Sequence, residues 1–430
     1  MIRILIVSPH FPPVNAADMH RVRCLLPYLS NSNIEAEVLT VEPEQTTFAV
    51  DPWLEQGLPE GIRIHRVKAM SLKWGRIPGF GSLGFRSMRA LARRGDHVLS
   101  GRHFDLIYFS TTVFEVHCLG PRWRRKFGLP FIIDYQDPWV NDYYLEHPDV
   151  TPPGGRVKYG IVSFLHRRME PWVLKSCSGI TSVSSAYPTQ IFKRYPRFSN
   201  MPFIVKPFPV DPNDFGDERI LPEQKQFNSE DGKIHWMYLG VVIPAMELAL
   251  RSLFRALVRE ENKDLLANLE LHFIGTNYAR GEKAKPVVLP IADEYGLTGY
   301  VNEQEERIPY CEVISCLRTS DALMVLGSND SGYSASKISP CLLARKPLLV
   351  IFHEDSPVSR MLDEVGGAHR ISFGDHVEAT DLANDVHEKW IVSKNYQKVL
   401  PLVESSFLSH TASASAVDLC NFFASVVDEN

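Results

Sequence analysis

No window of this 430-residue chain reaches the roughly 18 uninterrupted apolar residues that a membrane span needs. The sequence also holds no D-x-D, no HExxH, no GxxxxGK(S/T) and no GxSxG. A metal-bridged nucleotide-sugar site, a zinc protease, a P-loop NTPase and a serine hydrolase all lose support on that ground. Cysteine is sparse: Cys24, Cys118, Cys177, Cys311, Cys316, Cys341 and Cys420 form no CxxC pair, and several sit in apolar runs. That pattern reads as buried free thiols in a reducing compartment rather than a disulfide framework. No short-period repeat or low-complexity tract is present. The opening MIRILIVSPHFPP reads as a short apolar strand without a cleavage site, not as a signal peptide.

What is present is ordinary for a globular protein, with 44% hydrophobic and 23% charged residues. The length exceeds one core and suggests two α/β domains of about 200 residues each. A net charge of −5 conceals an asymmetry. Residues 1–210 carry 26 basic and 17 acidic side chains, and the remainder carries 20 and 34. Basic residues concentrate at 61–104, where Asp96 is the single acid, and in PRWRRKF at 121–127. Such a face is either solvated helix surface or a docking surface for anionic lipid or a phosphate-bearing acceptor. Trp74, Phe80, Phe85 and Trp123, interleaved with the bases, favour docking.

Along the chain, RILIVS, EAEVLTV, IRIHRV, DLIYFS, PFIIDY and GITSVS read as strands, with helical spacing at 19–30, 85–99, 112–127 and 160–176. Strands alternating with helices imply βαβ units and a parallel sheet. The alternation pauses at 206–233, rich in Pro and charge, then restarts with IHWMYLG, ELHFIG, DALMVLG and PLLVIF. Helices fit at 245–260, 309–319, 336–344 and 377–391. The expected organisation is an N-terminal Rossmann-like domain at 1–206, a linker at 207–233 and a C-terminal Rossmann-like domain at 234–411. A terminal helix at 412–430 is expected to pack back toward the first domain. Two doubly wound domains of this kind face each other across a cleft, with the site at the strand C-terminal ends.

GFGSLG at 79–84 matches GxGxxG only formally, because KWGRIP and not a strand precedes it. In SPHFPPVNAADMHRVRCLLPYL, residues 8–29, a strand ends in a turn and Arg21 lies inside the following helix; amides there suit an anion or a sugar hydroxyl. The plain alternative is a strand–loop–helix connection with a surface Arg. FIIDYQDPWV delivers Asp134, Asp137 and Trp139 to a strand end, where carboxylates and an aromatic suit a sugar-like ligand. The plain alternative is that Asp137 caps a turn before Pro138. SASKISP at 334–340 places two serines and a lysine at the start of a helix, followed by the strand PLLVIF.

Taken in order, strand–FPP–turn–Arg at 4–21, DxxDPW at 134–139, MEPWVLKSCSGITSVSSAY at 169–187, YLG at 238–240, HFIG at 272–275 and SK–helix–KPLLV at 336–350 resemble a GT-B fold glycosyltransferase. The nearest group is family 4, the retaining, nucleotide-sugar-dependent transferases. The resemblance implies an acceptor side near Asn15, Arg21, His117, Asp137 and Trp139. It implies a donor side near Gly240, Gly275, Asp330, Tyr333, Ser334, Ser336, Lys337 and Glu354. Lys337 and Asp137 are the implied catalytic residues, with no metal and no cofactor beyond the nucleotide-diphosphate sugar. Positive side chains and a helix start offset the leaving diphosphate instead.

Three positions depart from that family. No base follows Gly240 until Arg251, Phe208-Pro209 stands where Asn-Gly is usual, and Pro340 replaces the acid that holds the donor ribose. A carboxylate there supplies strong charge-assisted hydrogen bonds, for which Asp330 and Glu354 are the candidate substitutes. The expected activity is transfer of a sugar to a glycan or lipid-linked acceptor with retention, in surface polysaccharide or glycolipid synthesis. The expected place is cytoplasmic, peripheral at the inner membrane face, on anionic lipid and without nucleic acid. The departures keep a non-catalytic GT-B-like binding or scaffold protein as the alternative, and a nucleotide-sugar epimerase after it.

Overall fold

The computed structural model describes residues 1–71, 81–142, 155–216, 219–277 and 284–429. The chain divides into two compact units, Met1–Pro209 with Ala412–Asn430, and Val210–Thr411.

The first unit is built on a seven-stranded parallel sheet. Its strands are β1 (Ile2–Val7), β2 (Ile34–Val41), β3 (Arg63–Val67), β4 (Leu106–Ser110), β5 (Phe131–Tyr135), β6 (Gly179–Ser182) and β7 (Phe203–Val205). They lie in the order β3-β2-β1-β4-β5-β6-β7. β4 and β5 are buried along their whole length, which is why they read as unbroken apolar runs: a parallel strand is covered on both faces. On one face helix Leu83–Gly101 and helix Leu119–Phe127 close over Phe109, Ile133 and Trp123. On the other, helix Met19–Leu29 and the terminal helix Ala412–Asp428 bury Leu25, Leu419, Cys420 and Phe423 against Ile4, Ile6 and Tyr108. Phe423 meets the Tyr108 ring at 4.8 Å.

The second unit holds a six-stranded parallel sheet in the order β10-β9-β8-β11-β12-β13. These strands are β8 (Ile234–Leu239), β9 (Leu269–Ile274), β10 (Val301–Gln304), β11 (Ala322–Leu326), β12 (Leu348–His353) and β13 (His369–Phe373). The described part of 210–233 is not a free connector. Val210 joins the core of the second unit, Ser315 Oγ donates to the Pro222 carbonyl at 2.6 Å, and Gln226 Nε2 donates to Glu312 at 2.8 Å. The division falls at Pro209–Val210, so Pro and charge marked a segment that docks rather than a linker to 233.

Several of the bases concentrated in the first unit are paired internally. Arg63 and Arg102 pair with buried Glu37, Arg122 and Lys126 with Asp96, and buried Arg86 donates to the Met70 and Gln45 carbonyls. Trp123, expected on that face, is core: its ring stacks on Phe109 and its N–H donates to Asp96 at 2.9 Å. Trp74, Phe80 and Gly79 lie outside the described residues. Ser82, from the same GFGSLG stretch, caps helix Leu83–Gly101 by accepting from the Phe85 amide.

Candidate functional site

Both sheets reverse strand order beside their first strand, between β1 and β4 and between β8 and β11. Crevices at such points collect the chemistry of doubly wound folds.

In the second unit, β8 and β9 each run into a glycine in a left-handed conformation, Gly240 at φ +119° and Gly275 at φ +76°. The two turns are in contact, and a Cβ at Gly240 would lie 3.1 Å from Lys337 Nζ. Backbone there is bare because a side chain would occupy the space that the lysine faces. Lys337 precedes the short helix Ile338–Leu343 and reaches back under these turns. Its ammonium donates to the Tyr238 hydroxyl at 2.5 Å and sits 4.0 Å from that ring's centroid. Loss of water pulls Lys337 down to about 7; the Cys341 thiol opposes this, and the positive charge of Arg307 adds to it. Arg307 follows β10 and packs its chain beside Gly275, 3.5 Å from the position of a Cβ there. Lys337 and Arg307 therefore flank two glycine turns, Gly240 half-buried and Gly275 buried.

No base follows Gly240 in sequence until Arg251, but Arg307 reaches the neighbouring turn at Gly275 from after β10. Arg251, the next base in sequence, is instead held on its helix by Glu247 and Glu294. Of the remaining donor-side candidates, Asp330 and Tyr333 have partners in their own surroundings. Exposed Asp330 accepts from the Gly332 amide at 2.8 Å in its own loop, and Tyr333 stacks on Phe352. Ser334 and Ser336 lie in the turn before Lys337, Ser336 exposed. Glu354 is exposed at the end of β12, beside Gly374. Pro340 occupies the first turn of its helix and offers only a carbonyl, which accepts from the Ala344 amide.

In the first unit the ends of β1, β4 and β5 gather the expected Asn15 and Asp137 with His10, Asp18, Thr111 and Thr112, which sequence reasoning missed. His10 Nδ1 contacts both oxygens of Asp18, at 2.9 and 3.0 Å. Asp18 also accepts from the Thr111 hydroxyl and the Thr112 amide. Burial opposes this carboxylate, but His10, Thr112 and Thr111 together outweigh it and hold Asp18 below the ordinary range. Asp137, on the β5 turn, is open to solvent yet recessed among protein atoms. That loss of bulk water, with the Asp18 charge second, raises its carboxyl to about 6. Asn15 is buried on the turn after β1, its amide on the Ala49 carbonyl at 2.8 Å.

Arg21, His117 and Trp139 are placed differently from the expectation. Arg21 is fully buried, its Nε 2.9 Å from Asp134 Oδ2 and its Nη2 donating to the Lys206 carbonyl. Ser110, Gln136 and Thr181 complete the shell around Asp134. This is an internal ion pair that ties three strand ends together, not a surface for an acceptor. Trp139, 2% exposed, stacks on Phe114 and meets the His117 edge at 5.1 Å. His117, 1% exposed, is lowered to about 3 by burial and by nearby His166, so it stays neutral. Both rings are packing, because an aromatic cage and not solvent surrounds them.

No family model matches the sequence, and no curated protein matches it. Solved structures do match. HepE from Anabaena, in complex with UDP and glucose, aligns over 100% of this chain and 98% of its own at TM-score 0.59 and 14% identity. Sucrose-phosphate synthase from Thermosynechococcus elongatus aligns over 100% of both at 0.65 and 13%. A UDP-forming trehalose-phosphate synthase from Burkholderia xenovorans aligns over 100% and 99% at 0.61 and 10%. At such identity the likeness is one of fold, and the two Rossmann-like units have the GT-B architecture of these transferases.

Proposed function

We propose that the chain is a glycosyltransferase that moves a sugar from a nucleotide-diphosphate sugar to a glycan or lipid-linked acceptor, in surface polysaccharide or glycolipid synthesis. The observation that carries this reading is the pair Lys337–Arg307 beside the bare turns at Gly240 and Gly275. Backbone turns and fixed cations suit a diphosphate, and they stabilise the charge that develops as it leaves without a metal ion. In the retaining reading the acceptor attacks from the face the diphosphate is leaving, and a leaving-phosphate oxygen takes the acceptor proton. Lys337 and Arg307 hold the diphosphate, and Asp137 orients the acceptor hydroxyl.

The His10–Asp18 pair favours a second reading of the same reaction. A carboxylate that fixes one imidazole nitrogen leaves the other for proton transfer. If His10 is the base, attack from the opposite face inverts the anomeric centre. The product's anomeric configuration, read by NMR, separates the two.

The peripheral membrane reading is supported less by the basic cluster than by helix Arg156–Leu174. Val157, Ile161, Phe164 (58% exposed) and Trp172 (52%) are spaced along it with Arg156, Lys158 and Arg168. Among the described residues no helix is long and apolar enough to cross a membrane.

The test is a thermal-shift panel of UDP, GDP, ADP, CMP and dTDP, with and without magnesium. At 100 times its dissociation constant a ligand adds about 2.7 kcal/mol to the folded state. A magnesium-independent shift with one nucleotide supports the transferase. No shift on folded protein sinks it in favour of a scaffold, and release of an altered nucleotide sugar without acceptor points to an epimerase.

A further inference from the structure

At the opposite end of the second sheet from Gly240 and Gly275, the start of β8 and the start of β9 bring His235, Glu270 and His272 onto one face. The register pairs His235 with Glu270 and Met237 with His272, so residues two apart share that face. His235 and His272 are buried, and Phe227 lies over both rings at 4.4 and 5.0 Å.

The hydrogen-bond pattern fixes the His235 tautomer and brings the facing nitrogens of the two rings together. His235 Nε2 lies 3.1 Å from Asp231 Oδ1, and a carboxylate only accepts, so Nε2 carries the proton. His235 Nδ1 is then a bare lone pair. It accepts from His272 Nε2–H at 2.9 Å, a proton that a metal ion would displace to Nδ1, and Glu270 Oε2 stands 3.9 Å from the first nitrogen and 3.8 Å from the second. For a triangle with these sides, the point equidistant from all three atoms lies about 2.1 Å from each, inside the range of zinc–imidazole and zinc–carboxylate bonds. The outer contacts are of the kind that orient metal ligands. Asp231 holds His235, while Asn302 Nδ2 donates to Glu270 Oε2 and Lys233 pairs with Glu270 Oε1.

We propose that His235, Glu270 and His272 form a zinc site, with water as the fourth ligand and Asp231 as the positioning carboxylate. Two imidazoles and one carboxylate suit zinc better than magnesium or calcium, which take oxygen ligands. Binding requires only that the His272 proton sit on Nδ1, so that Nε2 offers its lone pair. The site lies at the strand ends away from the turns at Gly240 and Gly275, and an ion there would pin the Phe227–Lys233 segment onto β8 and β9.

The experiment uses the tag-free full chain, stripped with chelator and titrated with zinc sulfate, then with cobalt as a spectroscopic probe. One zinc per chain at about micromolar affinity or tighter is expected, with the visible bands of four-coordinate cobalt and a rise in melting temperature. His235→Ala and His272→Ala each lose at least about tenfold in affinity, and Asp231→Asn loses about 10–100-fold. If the histidine variants fail to fold, Glu270→Gln and Asp231→Asn, at less buried positions, carry the test. Nucleotide-induced shifts persist in all of them, which separates this site from the donor site. No zinc bound at 100 µM, or unchanged affinity in the variants, overturns the proposal.

Discussion

If Lys337 grips the donor diphosphate as its ammonium, nucleotide affinity must fall as pH rises, and the structure fixes where. The free protein holds Lys337 at about 7, chiefly because the ammonium has lost water. Above that value the protonated fraction drops about tenfold per pH unit. A bound diphosphate restores the charge, so each binding event above pH 7 takes up a proton. The dissociation constant should therefore weaken about tenfold between pH 7.5 and 8.5, measured by calorimetry with the nucleoside diphosphate that the thermal panel selects. Lys337→Arg, which keeps its charge, should bind with a flat profile, and Lys337→Met should bind weakly at every pH. Stability of the unliganded protein runs the other way. The unfolded lysine keeps its proton to about 10.5 and the folded one only to about 7. Between those values the unfolded state binds more protons, and this group makes stability rise with pH. A wild-type affinity that changes less than twofold over that pH unit would refute the placement of Lys337 against the phosphates.

The Asp137 carboxylate forms as pH rises through about 6, so kcat/KM should show an acidic limb near 6. Asp137→Asn should abolish that limb and lower kcat at least about tenfold. Arg21→Met leaves Asp134 charged and buried, and chemical denaturation should register a loss of about 3–5 kcal/mol; adding Asp134→Leu should restore much of it, and additive losses would count against the pair. Phe423→Ala opens a cavity on Tyr108 and should cost about 3–5 kcal/mol in the first unit's transition.

The strands that the sequence reveals and those it hides differ in one physical respect. β1, β4, β5, β8, β11 and β12 are flanked on both sides and covered on both faces, so burial alone dictates continuous apolar runs. The outermost strands are β3, β7, β10 and β13; β3 is still legible in IRIHRV, whereas FIV is only three residues long and VNEQ and HRISF carry the polar residues that a partly solvated edge allows. The site divides in the same way. Gly240 and Gly275 are legible because a strand that runs into glycine is a local signal. Arg307 follows hidden β10, and His10, Asp18 and Thr111 meet only because β1 lies beside β4. Arg21, His117 and Trp139 have the right chemistry for an acceptor, but exposure is a tertiary property, and packing buries them.

That division sharpens what Pro340 means. On the proposed reading, Arg307 from another element answers the missing base after Gly240, and it and Lys337 form the phosphate half of the donor site. No comparable replacement meets Pro340: Asp330 closes its own loop, and Glu354 stands exposed at the end of β12. A carboxylate that grips the ribose contributes about 1.5–3 kcal/mol per charge-assisted hydrogen bond, or roughly 10–150-fold in affinity. Without one, removing the 2′-hydroxyl should cost almost nothing. The nucleoside diphosphate that the thermal panel selects and its 2′-deoxy form are thus expected to bind within about threefold of each other, with affinity set by the diphosphate. A preference for the ribonucleotide above tenfold would mean that a carboxylate does reach the ribose. The effect of Glu354→Gln and Asp330→Asn on that ratio would then identify which one.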